Sequence, residues 1–204
     1  MPEGLIAEQL QADLASGVIG REIIVLDQAG STNDAILQIA NAKSKEGLVV
    51  FAEHQTAGRG QRGNRWESAA GKGLWFSILL RPKIDLASSP QLTTWAAEAV
   101  SGAIQNEFSL IPTIKPPNDV QIDGRKIAGV LVEMRAQEKA AHLAIAGIGV
   151  NVNQAREDFP KELQSRAISL AMALGKQIDR QSFAVALLRK LDRTYREKFA
   201  SAGL

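Results

Sequence analysis

Cysteine is absent from the 204-residue chain, which excludes a disulfide framework, a thiol nucleophile, iron–sulfur clusters and thiolate zinc. Histidine is almost absent. His54 and His142 are the only two, so an imidazole metal site or a serine–histidine hydrolase finds no material. Aromatic residues make up 5%, and the net charge is only +2, from 24 basic against 22 acidic residues. A surface devoted to nucleic acid carries a larger surplus and more exposed rings, so no nucleic-acid partner is expected. No apolar run approaches the ~18 residues of a membrane span, and the N-terminus shows no basic segment followed by an apolar stretch. These absences point to a cytoplasmic protein with no membrane partner. What is present, 45% hydrophobic residues in a one-domain length, suffices for a real core, with no Pro/Gly-rich linker to divide it. A single domain over 1–204 is expected.

The spacing of Leu5, Ile6, Leu10 and Leu14 predicts a short amphipathic helix ending near Gly17 and Gly20. Residues 22–27 read as a buried strand. Ser31 then stands at a helix N-cap, with Asp34 as an approximate capping box, before the periodic run Ala35, Ile36, Ile39, Ala40. Strands follow over Gly47–Glu53 and Gly73–Leu80, and a long helix over 88–109. Asp123-Gly124 suits a hairpin with two positive φ angles, joining strands Asp119–Ile122 and Lys126–Met134. A further strand covers His142–Val152, and the last fifty residues read mostly as helix, interrupted at Gly175. Strands in succession with helices around them favour an α+β fold, a mixed and largely antiparallel sheet flanked by helices, over strict βαβ alternation.

The stretch Gln55–Gly73, QTAGRGQRGNRWESAAGKG, shows neither strand nor helix periodicity. It holds five of the seventeen glycines, and Arg59, Arg62, Arg65 and Lys72 against the single acid Glu67. Its local charge of +3 exceeds that of the whole chain. Glycines let a backbone approach a ligand closely, and guanidinium forks match phosphate and carboxylate. An anion site is one reading; a solvated loop kept soluble by its arginines is the other. Gly58 to Gly63 spells G-x-G-x-x-G, yet no helix opens after it and no βαβ unit follows, so a dinucleotide fingerprint fails on context. No Walker A sequence is present.

Lys115-Pro116-Pro117-Asn118-Asp119 is the second unusual segment. The prolines rigidify the approach to Asn118, whose amide suits a purine edge, and to Asp119, whose carboxylate suits Mg²⁺ beside phosphates. The same pair also suits a plain turn. Lys126 opens an otherwise apolar strand, either as a cation at a cavity mouth or as an ordinary strand-end lysine. Gly147-Ile148-Gly149-Val150-Asn151-Val152-Asn153 places glycines inside a strand, which weakens it unless something must come close. Asn151 and Asn153 share one face. His54 and His142 have no chemical partner in view and read as structural.

Together these segments resemble the catalytic domain of biotin protein ligases. The resemblance rests on Gly30 to Asp34 (GSTND), Glu53 to Trp66 (EHQTAGRGQRGNRW), Lys115 to Asp119 (KPPND), Gly124 to Glu133 (GRKIAGVLVE) and Gly147 to Asn151 (GIGVN), which occur in the family's order. It implies a fold shared with lipoate ligases and a two-step reaction. Biotin and MgATP give biotinyl-5′-AMP, and a lysine of a biotin carboxyl carrier protein, an acetyl-CoA carboxylase subunit, then displaces AMP. Ser31, Thr32, Asn33, Gln55, Gly58, Gly60 and Gln61 are thereby implied in binding biotin, with Gly129 and Gly147 lining its pocket. Arg59, Arg62 and Lys126 are implied around the biotin carboxylate and the ATP phosphates as the catalytic cations. Trp66, Asn118 and Asn151 are implied in holding ATP, Trp66 near the adenine, and Asp119 in placing Mg²⁺.

Pro116 departs from the family's usual Trp. No DNA-binding region precedes these motifs, which suggests a monofunctional ligase. The small β-rich domain that most relatives carry after the last helices is expected to be missing. Relatives often pair through edge strands, and the strand 142–152 is the candidate for a homodimer contact. Two other functions fit the scaffold: a lipoate or octanoate ligase or transferase, and a non-catalytic biotin or biotinyl-AMP binder.

Overall fold

The computed structural model describes residues 4–14, 17–40, 44–136 and 142–200, whose apolar runs become seven strands of one sheet. The chain begins with α1 (Ala7–Asp13), β1 (Glu22–Ala29), α2 (Thr32–Ile39), β2 (Leu48–Gln55) and β3 (Gly73–Leu80). It continues through the long α3 (Ser89–Phe108), β4 (Thr113–Lys115), β5 (Asp119–Ile122), β6 (Arg125–Arg135) and β7 (Leu143–Asn151), and ends in α4 (Leu170–Leu174) and α5 (Arg180–Tyr195). The strand order is β1-β2-β3-β7-β6-β5-β4, with β1 and β2 parallel and every other pair antiparallel. The expected mixed, largely antiparallel α+β architecture is what forms.

Side-chain alternation divides the sheet into two unequal faces. Ala144, Ala146, Ile148 and Val150 of β7 point into the main core, as do Leu74, Phe76 and Ile78 of β3. There they meet the apolar sides of α3 and α5, including Trp95, Val100, Phe183 and Leu187. On the opposite face the only helix among the described residues that covers the strands is α2, through Ile36 packed on Leu48, Val50, Leu79 and Ile145. One short helix cannot roof seven strands. The uncovered part, over β6 and β7, is where the cavity opens.

The hairpin forms as expected, with φ of 48° at Asp123 and 72° at Gly124. Gly175 ends α4 in the left-handed region. Three expectations need correcting, and one strand is new. Ser31 occupies the N-cap position of α2 but makes no side-chain cap bond, and Asp34 turns outward to Arg59 instead. Thr113–Lys115, too short to show a period, is a strand. The stretch after β7 holds only a single 3-10 turn, Arg156–Asp158, before Leu170: it folds back so that Lys126 N donates to Arg166 O and Ile168 N to Lys126 O, at 2.7 and 3.0 Å. Finally, β7 cannot serve as a dimer edge, because β3 and β6 flank it along its length.

Buried charges anchor the segments behind the cavity. Arg180 at the start of α5 donates to Glu53 Oε2 at 2.8 Å and to Gly73 O at 3.1 Å. It thus holds both ends of the glycine–arginine stretch, since Glu53 lies just before it and Gly73 closes it. Asp192 accepts from the backbone N–H groups of Val18 and Ile19, fixing the entry to β1.

Tyr195, sealed between Trp95 and Phe199, donates to Glu46 Oε1. Burial, then that bond to a carboxylate, pushes the phenol far above its ordinary value near 10. A raised value in the folded state means that the unfolded chain loses this proton first. The stabilisation it represents is therefore complete below pH 10 and is lost as the pH climbs above it. Between pH 10 and 11.5, denaturant titrations of the parent protein should lose up to about 1.4 kcal/mol more per pH unit than those of Tyr195→Phe. Parallel alkaline limbs would contradict this account.

Candidate functional site

Two cavities adjoin on the uncovered face. The first, of about 360 Å³, is lined by the N-terminus of α2, the Arg59–Trp66 loop, the Lys115–Asp119 turn and the glycines of β6 and β7. The second, of about 450 Å³, lies between the loop, β5 and the returning 159–167 segment, and Asn151 reaches it. Asn64, Arg65, Trp66, Lys115, Asp119 and Lys126 line both. These sizes suit small organic molecules.

The floor of the first cavity is a chain of polar groups. Gln55 Oε1 accepts from Thr32 N at 2.9 Å and lies 3.2 Å from the Thr32 hydroxyl, while its Nε2 donates to Ser68 Oγ at 2.9 Å. Ser77 Oγ lies 2.8 Å from Thr32 Oγ1 and 2.6 Å from Asn33 Oδ1. Asn33 Nδ2 donates to Glu133 Oε2 at 2.6 Å. Thr32, Asn33, Gln55 and Ser77 are all buried. Cross-bonded this way, they present fixed donors and acceptors to whatever enters.

Two glycines of β7 explain why this face is concave. A Cβ at Gly147 would fall 2.2 Å from Asn33 Oδ1, and one at Gly149 would fall 2.5 Å from Trp66 Cε2. Gly149 pairs with Gly129 across the strands, and a Cβ at Gly129 would also meet the indole. Trp66 thus lies flat over a glycine pair, edge-on to Trp75, with its Nε1 buried and without an acceptor.

The glycine–arginine stretch is more ordered than its composition suggests. Gly60 N donates to Asn64 O at 2.7 Å and Trp66 N to Gly58 O at 2.9 Å, and Arg59 bridges Arg65 in antiparallel fashion. The result is a miniature hairpin whose tip, Arg62 and Gly63, has φ of 58° and 77°. Gln61 and Arg62 line the first cavity from this tip. Gly58 does not line it; a Cβ there would strike Trp66 O at 2.5 Å, so its role is at the root of the hairpin.

Lys126 Nζ lies 2.6 Å from Asp119 Oδ1 and 5.1 Å from the Trp66 ring centroid. The charges touch, but not along a hydrogen-bonding direction, so Asp119 Oδ1 remains a buried oxygen without a donor. Asn118 lines the first cavity, yet its Nδ2 is committed to Val130 O at 2.9 Å. Asn151 Nδ2 donates to Ile168 O at 3.1 Å and its Oδ1 accepts from Gln154, so it also pins the returning segment. Asn153 is wholly structural, clasping the Ile178 backbone through both ends of its amide. His54 and His142 line neither cavity.

The sequence reading therefore located every wall of the first cavity and missed its supports. Ser77 and Ser68 carried no motif weight of their own. Asp34 and Glu133 were present in the quoted segments, but nothing local showed that both reach Arg59.

A mixed sheet whose glycine-cut face is walled by an arginine hairpin defines a cavity of small-molecule size with cationic side chains on its wall. Residues 25–151 match the biotin/lipoate A/B protein ligase family, and the chain belongs to it. It is 40% identical over 196 residues to the bifunctional ligase/repressor BirA of Bacillus spizizenii, covering 96% of this chain and 60% of that protein. The biotin–[acetyl-CoA-carboxylase] ligase of Mycobacterium tuberculosis is 33% identical, over 88% of this chain and 66% of its own length. The biotin protein ligase of Aquifex aeolicus, solved in complex with biotin and ATP, superposes with a TM-score of 0.72 at 32% identity, covering 87% of this chain and 73% of that one. The chain thus spans about 60% of the length of the BirA proteins it matches. Among the described residues no helix is long and apolar enough to cross a membrane.

Proposed function

We propose that this chain activates biotin with ATP to biotinyl-5′-AMP and then passes the biotinyl group to a lysine of a biotin carboxyl carrier protein. The observation that carries the reading is the position of Lys126, on the wall shared by two small-molecule cavities. A reaction that joins a carboxylate to an α-phosphate needs a cation at that junction, because charge accumulates there as the oxygen attacks. The α2 side, with Thr32, Asn33 and Gln55, receives biotin. The Trp66–Asn151 side receives the nucleotide.

In the first step a biotin carboxylate oxygen attacks the α-phosphorus and pyrophosphate departs. Lys126, Arg59 and Arg62 offset the negative charge on the reacting oxygens. In the second step the lysine amine attacks the acyl carbon and AMP leaves. Neither step requires a protein nucleophile, which accords with a chain lacking cysteine. Asp119 is the residue that would hold Mg²⁺: its carboxylate lines both cavities, and its Oδ1, 2.6 Å from the Lys126 ammonium, would be shared between that cation and the metal. One carboxylate suffices, because Mg²⁺ is commonly held by one or two carboxylates together with substrate phosphates. When bound, the ion would supply further neutralisation of the phosphate oxygens. Pairing of two copies through a sheet edge would use β1 or β4.

The test is incubation with biotin, MgATP and an isolated carrier domain, read by avidin blot, peptide mass and pyrophosphate release. A biotinylated carrier lysine with one pyrophosphate per transfer is expected. Biotin binding without pyrophosphate would instead identify a non-catalytic binder, and carrier modification by lipoate but not biotin would move the chain to the other branch of the family.

A further inference from the structure

Arg59 is held from behind. One of its terminal guanidinium nitrogens, Nη2, lies 2.8 Å from Asp34 Oδ1 on α2 and 2.9 Å from Glu133 Oε2 on β6. Arg59 lines the first cavity, whereas neither carboxylate does. A guanidinium carries five N–H donors. The two on Nη2 are spent on the carboxylates, and the remaining three have no partner among the described residues. The fork is thus anchored by one prong and open on the others.

We infer that Glu133, assisted by Asp34, is a positioning residue for Arg59: it latches the Gly58–Trp66 hairpin over the cavity and aims the open donors at the anion. What Arg59 would touch rests on the biotin-adenylation reading above; the latch itself does not. An exposed ion pair usually contributes little, because two long side chains must give up their freedom to meet. Glu133 is different in that its rotamer is set in advance. Its Oε2 accepts from Asn33 Nδ2 as well as from Arg59. Asn33 is itself buried, bonded to Ser77 and in close contact with Gly147. The same carboxylate oxygen therefore joins the polar floor of the cavity to the hairpin above it. Glu133 shares the sheet face of Gly129 and Leu131, four and two residues earlier on β6, which is why a strand residue can reach both.

Glu133→Gln separates the latch from a merely structural role, since the amide oxygen can still accept from Asn33 while the charge facing Arg59 is gone. Two readouts are needed. In the ligand-free protein, trypsin cleavage after Arg62 and Arg65 reports opening of the hairpin. With biotin and MgATP, the rate at which biotinyl-5′-AMP leaves the protein reports closure over the ligand. Both rates should rise about two- to fivefold in Glu133→Gln, the size of a partly exposed charge pair. In an Arg59→Ala background the same substitution should change neither. Unaltered tryptic rates in Glu133→Gln, or an undiminished effect when Arg59 is already alanine, would overturn the latch. If the parent protein releases no pyrophosphate, the function proposed above fails, and the proteolysis comparison still decides the latch.

Discussion

Lys126→Ala should lower pyrophosphate formation by about 10²- to 10³-fold, the usual loss when one preorganised donor to developing charge is removed. The residue is well suited to a clean measurement. Its backbone, not its side chain, joins β6 to the returning segment, through the bonds to Arg166 and Ile168. Its ammonium sits between Asp119 and the Trp66 ring, and its side chain is about one-third exposed (34%), so truncation opens no core cavity. The melting temperature should therefore stay within a few degrees of the parent's. Biotin affinity should fall far less than turnover, because Thr32, Asn33 and Gln55 are untouched. Turnover close to the parent's would remove Lys126 from its assigned role. An equal fall in melting temperature and activity would do the same.

The second large effect is a split between two glycines only two residues apart. Gly147→Ala puts a methyl group 2.2 Å from Asn33 Oδ1, and Asn33 has no slack, being bonded to Ser77 and Glu133. Relief requires Asn33 to move, which breaks the polar floor. Overpacking of this kind costs about 1–3 kcal/mol, so biotin binding should weaken by roughly 10- to 100-fold. Gly149→Ala puts its methyl group 2.5–2.7 Å from three atoms of the Trp66 indole. The indole must leave its glycine slot, and a base stacked on it would lose about 1–3 kcal/mol. ATP binding should therefore weaken by a similar factor; biotin binding should fall less, because the Thr32–Asn33–Gln55 floor is untouched although Trp66 also borders the first cavity. Calorimetric titration of each ligand against each variant checks the crossover. Equal losses of both ligands in both variants would show that the two glycines serve the sheet rather than the two cavities.

Much of this molecule was legible before any coordinates. β3 was bounded to the residue because GLWFSILL is a compact run broken only by Ser77, and its eight positions, Gly73 to Leu80, are buried without exception. The hairpin at Asp123-Gly124 was legible for a different reason: two consecutive positive φ angles admit very few residue pairs. Thr113–Lys115 was not, because three residues of alternating exposure show no period. The segment after β7 was misread because helix-like composition says nothing about a chain whose Arg166 and Ile168 are captured by the backbone of Lys126, about forty positions earlier. Likewise β7, apolar along its length, looked like a sticky edge; an apolar run identifies a strand buried on both faces, not its place in the order.

The site divides along the same line. The sequence by itself determined its chemical make-up: no thiol, no imidazole pair, a +3 segment on a slightly acidic body, and glycines inside a strand where something must come close. It also placed Lys126 at the mouth of an apolar strand. Only the tertiary structure decided that Lys126 meets Asp119, that Trp66 lies over Gly149, and that Asp34 and Glu133, ninety-nine residues apart, converge on one nitrogen of Arg59. The physical reason is range. Residue type, period and turn preference act within a few positions along the chain, whereas charge pairing and close packing act across space, and the strand order that brings those groups together is set by the whole sheet.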